Sequence, residues 1–182
     1  MSSRSLVNLV SLSRIPIAFL FLISFKPEST FLYASAGLAT IAFLTDIADG
    51  YLARRLRVAS VQGRHVDSLS DKAFYIAVIV TFHDNELLGL IISWALLVRE
   101  IGLYVSRIIY AAKIDRLDKT RFYTKTHGYF LYVVIIMGFV EMFLRAYGVT
   151  SPIGPLYMYI QFFAWISLAF GLASIAAFLK LE

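Results

Sequence analysis

Four aspartates form two close pairs between residues 46 and 71. Asp46 and Asp49 are three residues apart and Asp67 and Asp71 are four apart, so each pair projects from one side of a helix. Four carboxylates that converge at low dielectric repel one another strongly. Hard divalent cations such as Mg²⁺ or Mn²⁺, which prefer oxygen ligands, would neutralise them. Two such ions suit a phosphate substrate, because they bridge its oxygens.

Small and basic residues accompany these carboxylates. Gly50, Ala53 and Gly63 permit close approach of a ligand or a neighbouring helix. Arg54 can hold a phosphate by bidentate hydrogen bonds. The alternative to a ligand site is that the aspartates pair with nearby arginines at the membrane interface and serve as anchors. The presence of four aspartates at this spacing, together with two glycines, favours the ligand site. The spacing is also compatible with a cation site in a membrane transporter.

The composition places these residues in a bilayer. The chain has 182 residues, of which 59% are hydrophobic and 16% charged, with a mean hydropathy of +0.74. A soluble domain has roughly 25% charged residues. With no cysteine present, disulfides, zinc-thiolate sites and a cysteine nucleophile are excluded.

Hydrophobic runs separated by polar or proline-containing breaks predict an all-α integral membrane protein. We expect a bundle of six transmembrane helices in a single domain, residues 1–182. The first helix is expected to be retained, because Arg14 interrupts the apolar run that a signal peptide needs. The predicted helices span residues 5–25, 31–55, 66–83, 86–112, 122–146 and 153–179.

Basic residues concentrate on one side of this predicted bundle. Loops 54–65 and 113–125 carry most of them, whereas the other side has few. The positive-inside rule then places both termini and the aspartates at the cytoplasmic face. The same topology accounts for the net charge of +5, so nucleic-acid binding is rejected.

The aspartate segment can be written D-x2-D-G-x2-A-R-x8-G-x3-D-x3-D. All eight fixed positions are present: Asp46, Asp49, Gly50, Ala53, Arg54, Gly63, Asp67 and Asp71. This pattern resembles the signature of the CDP-alcohol phosphotransferase family, integral membrane enzymes of phospholipid synthesis. The resemblance implies that the hydroxyl of an acceptor alcohol attacks a CDP-linked lipid such as CDP-diacylglycerol and that CMP leaves.

The same resemblance implies roles for individual residues. The four aspartates would bind two divalent cations, Mg²⁺ or Mn²⁺, and Asp71 would also deprotonate the acceptor hydroxyl, although spacing alone does not say which aspartate is the base. The opening "VNLVSLSR" resembles one branch of the family, the phosphatidylglycerophosphate synthases. Its polar residues Asn8, Ser11 and Arg14 are spaced by three and therefore share one helix face. The residues expected to bind the CDP-lipid are Asn8, Ser11, Gly50, Ala53, Arg54, Ser60 and Gly63.

The second half of the chain is expected to choose the acceptor. "LVREIGLYVSR" resembles a stretch of the same branch, and an ion pair of Glu100 with Arg99 or Arg107 that fixes helix packing is the alternative. "DKTRFYTKTHGY" keeps Lys125 and Thr126 of a G-K-x-K-T-x-x-Q-like stretch and lacks its glycine, first lysine and glutamine. His127 is expected at the membrane interface, with a position near the active site as the alternative. The candidate acceptor-binding residues are Arg99, Arg107, Arg121 and Lys125.

These residues favour an anionic acceptor, with glycerol 3-phosphate first and inositol phosphate or phosphatidylglycerol, as in cardiolipin synthesis, as alternatives. We expect the active site on the cytoplasmic side of a bacterial inner membrane, and the family resemblance implies a homodimer. A small membrane cation transporter and an inactive structural membrane protein are the rival classes. The intact signature argues against the second, because anchoring does not require Gly50 and Gly63 at those positions.

Overall fold

A computed structural model describes residues 9–26, 29–55, 61–109, 118–149 and 155–179. Within these ranges the backbone alone is described at residues 29–30, 46–47, 49–50, 52–54, 61–68, 106–109, 118–121, 155 and 178–179. The chain divides into two compact units, residues Met1–Thr81 and Phe82–Glu182.

Six α-helices account for nearly all of the described residues, and no strand occurs among them. The helices are α1 (Arg14–Ser24), α2 (Ser29–Arg55), α3 (Val61–Asp84), α4 (Leu90–Ile109), α5 (Asp118–Ala146) and α6 (Pro155–Leu179). The predicted all-α class is confirmed. Every helix ends within three residues of its predicted end, because the apolar runs and the breaks between them are unambiguous.

Four helix starts lie four or more residues from the predicted ones. α1 begins at Arg14 rather than at residue 5, and α5 begins at Asp118 rather than at residue 122. The starts of α3 and α4 also differ. α3 begins at Val61 rather than at residue 66, since no proline intervenes and one glycine costs a helix only about 1 kcal/mol. α4 begins at Leu90 rather than at residue 86. There Glu86 adopts a left-handed φ of 59°, and the N–H of Leu87 donates to the carbonyl oxygen of Phe82 at 2.8 Å. This geometry caps the preceding helix and requires a turn before the next one.

A helical turn at residues 9–12 precedes α1, with Ser13 between them. The N–H of Ser13 donates to the carbonyl oxygen of Leu9 at 3.0 Å, so the chain keeps its helical course. Pro16 has no N–H to donate to the carbonyl oxygen of Leu12, which gives a physical reason for the irregularity at Ser13.

The first unit has apolar side chains on its outer surface. α1 packs against α2, and the rings of Phe21 and Phe74 lie 5.5 Å apart between centroids. On the open side of α1, Phe19 is 65% exposed and Ile23 51% exposed, whereas Arg14 is 1% exposed. An exposed apolar face with a buried charge is the reverse of a soluble amphipathic helix and is typical of a helix that faces lipid.

The second unit is built around α6, which packs against both α5 and α4. Phe130 of α5 stacks with Phe163 and Phe170 of α6, with centroid distances of 6.0 and 5.8 Å. Gln161 of α6 donates from Nε2 to the carbonyl oxygen of Leu87 at 2.9 Å. This bond attaches α6 to the turn that precedes α4.

Two of the described helical segments are long and apolar enough to cross a membrane, namely Phe122–Ala146 and Leu156–Ala177. Shorter apolar helical segments occur at Leu9–Ser24 and Phe31–Thr45. The predicted arrangement of six spans, and the cytoplasmic position of both termini, stay predictions.

The contact of Gly138 with Phe82 gives a test of packing in the second unit. A Cβ at Gly138 would overlap the Phe82 ring, which is fully buried. We expect Gly138→Ala to lower the free energy of unfolding by about 2 kcal/mol, because the ring has to move. Gly102→Ala is the matched control, since its Cβ meets no atom within 4 Å. Unfolding of both variants in detergent checks this, and equal stabilities would contradict the close contact.

Candidate active site

The backbone places the four signature aspartates on two consecutive helices. Asp46 and Asp49 lie in α2, and Asp67 and Asp71 lie in α3. The side chains of the first three are outside the described set, so their convergence stays a prediction. Their chemistry is that of an all-oxygen, negatively charged donor set, which fits a hard divalent cation.

The carboxylate of Asp71 forms an ion pair with the guanidinium of Arg14, which joins α3 to α1. The Arg14 side chain is 2% exposed, and that of Asp71 is 32% exposed. The arginine is therefore held inside the protein while the carboxylate keeps an open side. An ion pair of this kind limits the rotation of the Asp71 side chain without covering it.

The polar face of the first helix points inward. Ser11 is 3% exposed, like the buried Arg14, whereas Leu9 is 57% exposed and Leu12 is 40% exposed. Ser11 and Arg14, which their spacing of three residues places on one face, thus both point into the protein, and contact of this face with the active site stays a prediction. Asn8, the third polar residue of that face, lies outside the described residues.

The remaining candidates for CDP-lipid binding sit close to the aspartates along the chain. Gly50, Ala53 and Arg54 belong to the last two turns of α2, and Gly63 belongs to the first turn of α3. Gly63 was expected near a loop, and it is helical. Their side-chain surroundings, and Ser60 as a whole, lie outside the described residues.

A second polar cluster lies inside the unit formed by residues 82–182. Nη1 of Arg99 donates to Oε1 of Glu100, and Nη2 of Arg99 donates to Oγ of Ser174 at 3.5 Å. Nε2 of His127 lies 2.8 Å from the same Glu100 oxygen. Arg99 is 2% exposed and Glu100 1% exposed, so the two opposite charges are paired with each other inside the protein rather than hydrated.

Gly171 of α6 allows this cluster to pack closely. A Cβ at that position would lie 2.5 Å from Nε of Arg99 and 3.1 Å from Nδ1 of His127. The lack of a side chain at Gly171 therefore lets both residues approach the backbone of α6.

The candidate acceptor-binding residues fall into different environments. Arg99 is buried and forms an ion pair with Glu100. This agrees with the alternative in which the pair fixes helix packing rather than binds the acceptor. Lys125 of α5 is exposed, and the side chains of Arg107 and Arg121 are outside the described set. His127, expected at the membrane interface, is 3% exposed and lies among other helices, whereas its depth in the membrane stays a prediction. The partners of His127 lie on other helices, and the periodicity of the α5 sequence does not indicate which residues of other helices it contacts.

Comparisons with known proteins agree with the signature. The chain matches the CDP-alcohol phosphatidyltransferase family model over residues 4–176. It is 36% identical over 103 residues to a protein of Aquifex aeolicus (strain VF5) named CDP-diacylglycerol–glycerol-3-phosphate 3-phosphatidyltransferase. That alignment covers 56% of this chain and 57% of the relative. No solved structure matches the chain significantly.

The family match extends over almost the entire sequence and includes all eight positions of the aspartate signature. Proteins of this family are integral membrane proteins, in agreement with the two apolar helices of the second unit. The chain therefore belongs to the CDP-alcohol phosphatidyltransferase family of membrane-embedded transferases.

Proposed function

We propose that this protein transfers the phosphatidyl group of CDP-diacylglycerol to the hydroxyl of glycerol 3-phosphate and releases CMP. The observation that carries the proposal is the complete eight-position signature in a chain that matches the family model over residues 4–176. The name of the Aquifex relative supports glycerol 3-phosphate as the acceptor.

The reaction forms one bond and breaks one bond at phosphorus. The acceptor oxygen binds the phosphorus that carries diacylglycerol, and the bond from that phosphorus to the oxygen of CMP breaks. The hydroxyl proton passes to the carboxylate of Asp71. Asp71 is suited to this role because its carboxylate is partly exposed and is held by the buried Arg14.

Two divalent cations, Mg²⁺ or Mn²⁺, fit the carboxylates of Asp46, Asp49, Asp67 and Asp71 and would neutralise charge on the diphosphate. The CDP-lipid is expected to contact Asn8 and Ser11 of the first helix and the residues that follow Asp49: Gly50, Ala53, Arg54, Ser60 and Gly63. The buried position of Ser11 beside Arg14 supports this assignment.

Acceptor recognition is assigned to basic residues of the second half: Arg99, Arg107, Arg121 and Lys125. Lys125 is exposed and can meet a solute directly. Arg99 is already paired with Glu100, so it is expected to act by holding other groups in place. Inositol phosphate and phosphatidylglycerol are the alternative acceptors, because the G-K-x-K-T-x-x-Q-like stretch is incomplete.

We further propose a single six-span domain, residues 1–182, with both termini and the active site on the cytoplasmic side of a bacterial inner membrane, and a homodimer as the working assembly. Basic loops around the aspartate helices support the orientation. Family resemblance supports the dimer.

The test is CMP release from CDP-diacylglycerol by the purified protein in detergent. Parallel reactions contain Mg²⁺, Mn²⁺ or a chelator, each with glycerol 3-phosphate, inositol phosphate, phosphatidylglycerol or serine. We expect metal-dependent release with glycerol 3-phosphate. Release with another acceptor would reassign the substrate within the family. Folded protein that neither releases CMP nor binds CDP-lipid would contradict the proposal and favour a cation transporter.

A further inference from the structure

His127 connects three helices of the second unit at one level. Its Nε2 atom faces the carboxylate of Glu100 on α4. Its Nδ1 atom lies 2.8 Å from the carbonyl oxygen of Ser167 on α6. The Ser167 hydroxyl donates to the backbone carbonyl oxygen of His127 at 3.0 Å. Both edges of the imidazole and the backbone beside it are therefore bound to neighbouring helices.

Glu100, whose carboxylate lies 2.8 Å from Nε2 of His127, is itself held in place. Its Oε1 atom accepts from Arg99, and Arg99 reaches Ser174 on α6. Hydrogen bonds fix distance and angle, whereas apolar contacts between α5 and α6 are compatible with a range of rotations. The polar cluster therefore determines the rotation of α5 about its own axis near His127.

Lys125 lies two residues before His127 in α5. Successive residues of an α-helix are rotated by about 100°, so these two side chains leave the helix about 200° apart. Their surroundings agree, because His127 is buried and Lys125 is exposed. Any rotation that withdraws His127 from Glu100 moves Lys125 through a similar angle.

We propose that His127 is a positioning residue for acceptor recognition, which holds α5 at the rotation that presents Lys125 to the anionic group of the acceptor. The inference rests on the proposed function, because an anionic acceptor gives the position of Lys125 its importance. It adds His127, Glu100 and Ser167 to the residues on which acceptor choice depends, although none of them needs to touch the acceptor.

Steady-state kinetics of His127→Leu test this assignment. We expect the KM for glycerol 3-phosphate to rise about tenfold, because a small displacement of a binding group has a large effect. The KM for CDP-diacylglycerol is expected to stay within about twofold of wild type. His127→Gln keeps a side-chain N–H for Glu100 and should recover most of the acceptor affinity. Gly128→Ala is the matched control, since its Cβ meets no atom within 4 Å.

A purely structural role for His127 predicts a different kinetic pattern. Both KM values would rise together, or kcat would fall with no change in the acceptor KM. In either case His127→Gln would not selectively restore the KM for glycerol 3-phosphate. Either result would overturn the proposal.

A labelling experiment keeps the inference testable apart from catalysis. Since the chain contains no cysteine, Lys125→Cys creates a single thiol whose reaction with a water-soluble maleimide reports its exposure. We expect His127→Leu to slow this labelling and His127→Gln to restore it, and an unchanged rate would overturn the positioning role. If the wild-type protein released no CMP with any acceptor, the proposed function would fail, while the labelling would still decide whether His127 fixes α5.

Discussion

Asp71→Asn is expected to slow CMP release about 10³-fold while CDP-diacylglycerol still binds, because an amide cannot take the proton of the acceptor hydroxyl. The substitution keeps the size of the side chain and leaves one oxygen to accept from Arg14, which is paired with Asp71 in the native protein. Binding is measured with radiolabelled CDP-diacylglycerol, and turnover is measured as CMP released.

Asp84→Asn is the matched control, because Asp84 is an exposed aspartate on the same helix, at its far end. It is expected to match wild type in both measurements. Wild-type turnover in Asp71→Asn would remove Asp71 as the base. Loss of CDP-lipid binding in that variant would instead assign Asp71 chiefly to cation binding.

Glu100→Leu is expected to lower the free energy of unfolding by about 3 kcal/mol, because it leaves the buried Arg99 without its carboxylate. His127 also loses its partner on α4. Arg99 is then left unpaired with Glu100 in a part of the protein that excludes water, since it is 2% exposed. The measurement is unfolding of the purified protein in detergent.

The double variant Arg99→Met with Glu100→Leu separates charge from packing. Removal of both partners leaves no unpaired arginine, so it is expected to be more stable than Glu100→Leu alone. A single variant as stable as wild type would contradict the importance of the pair. A double variant less stable than the single would indicate that Arg99 contributes mainly through its contacts with Gly171 and Ser174.

The amino-acid sequence by itself determined the class of the protein, the ends of its helices and the family signature. These features are local, because an apolar run, a proline or a fixed spacing of aspartates is contained within a short segment. The inward face of the first helix, with Ser11 and Arg14 buried, followed from a spacing of three residues. The choice of Arg99 as the ion-pair partner of Glu100 was one of two alternatives that the sequence left open.

Only the tertiary structure decided which distant groups meet. His127 faces Glu100, 27 residues away along the chain, and Ser167, 40 residues away. Periodicity within α5 says which residues share a face, but it does not say which helix that face contacts. The physical reason is that buried polar groups take whatever partners the packing of several helices provides. His127 therefore lies inside the protein, a burial that the sequence alone did not indicate.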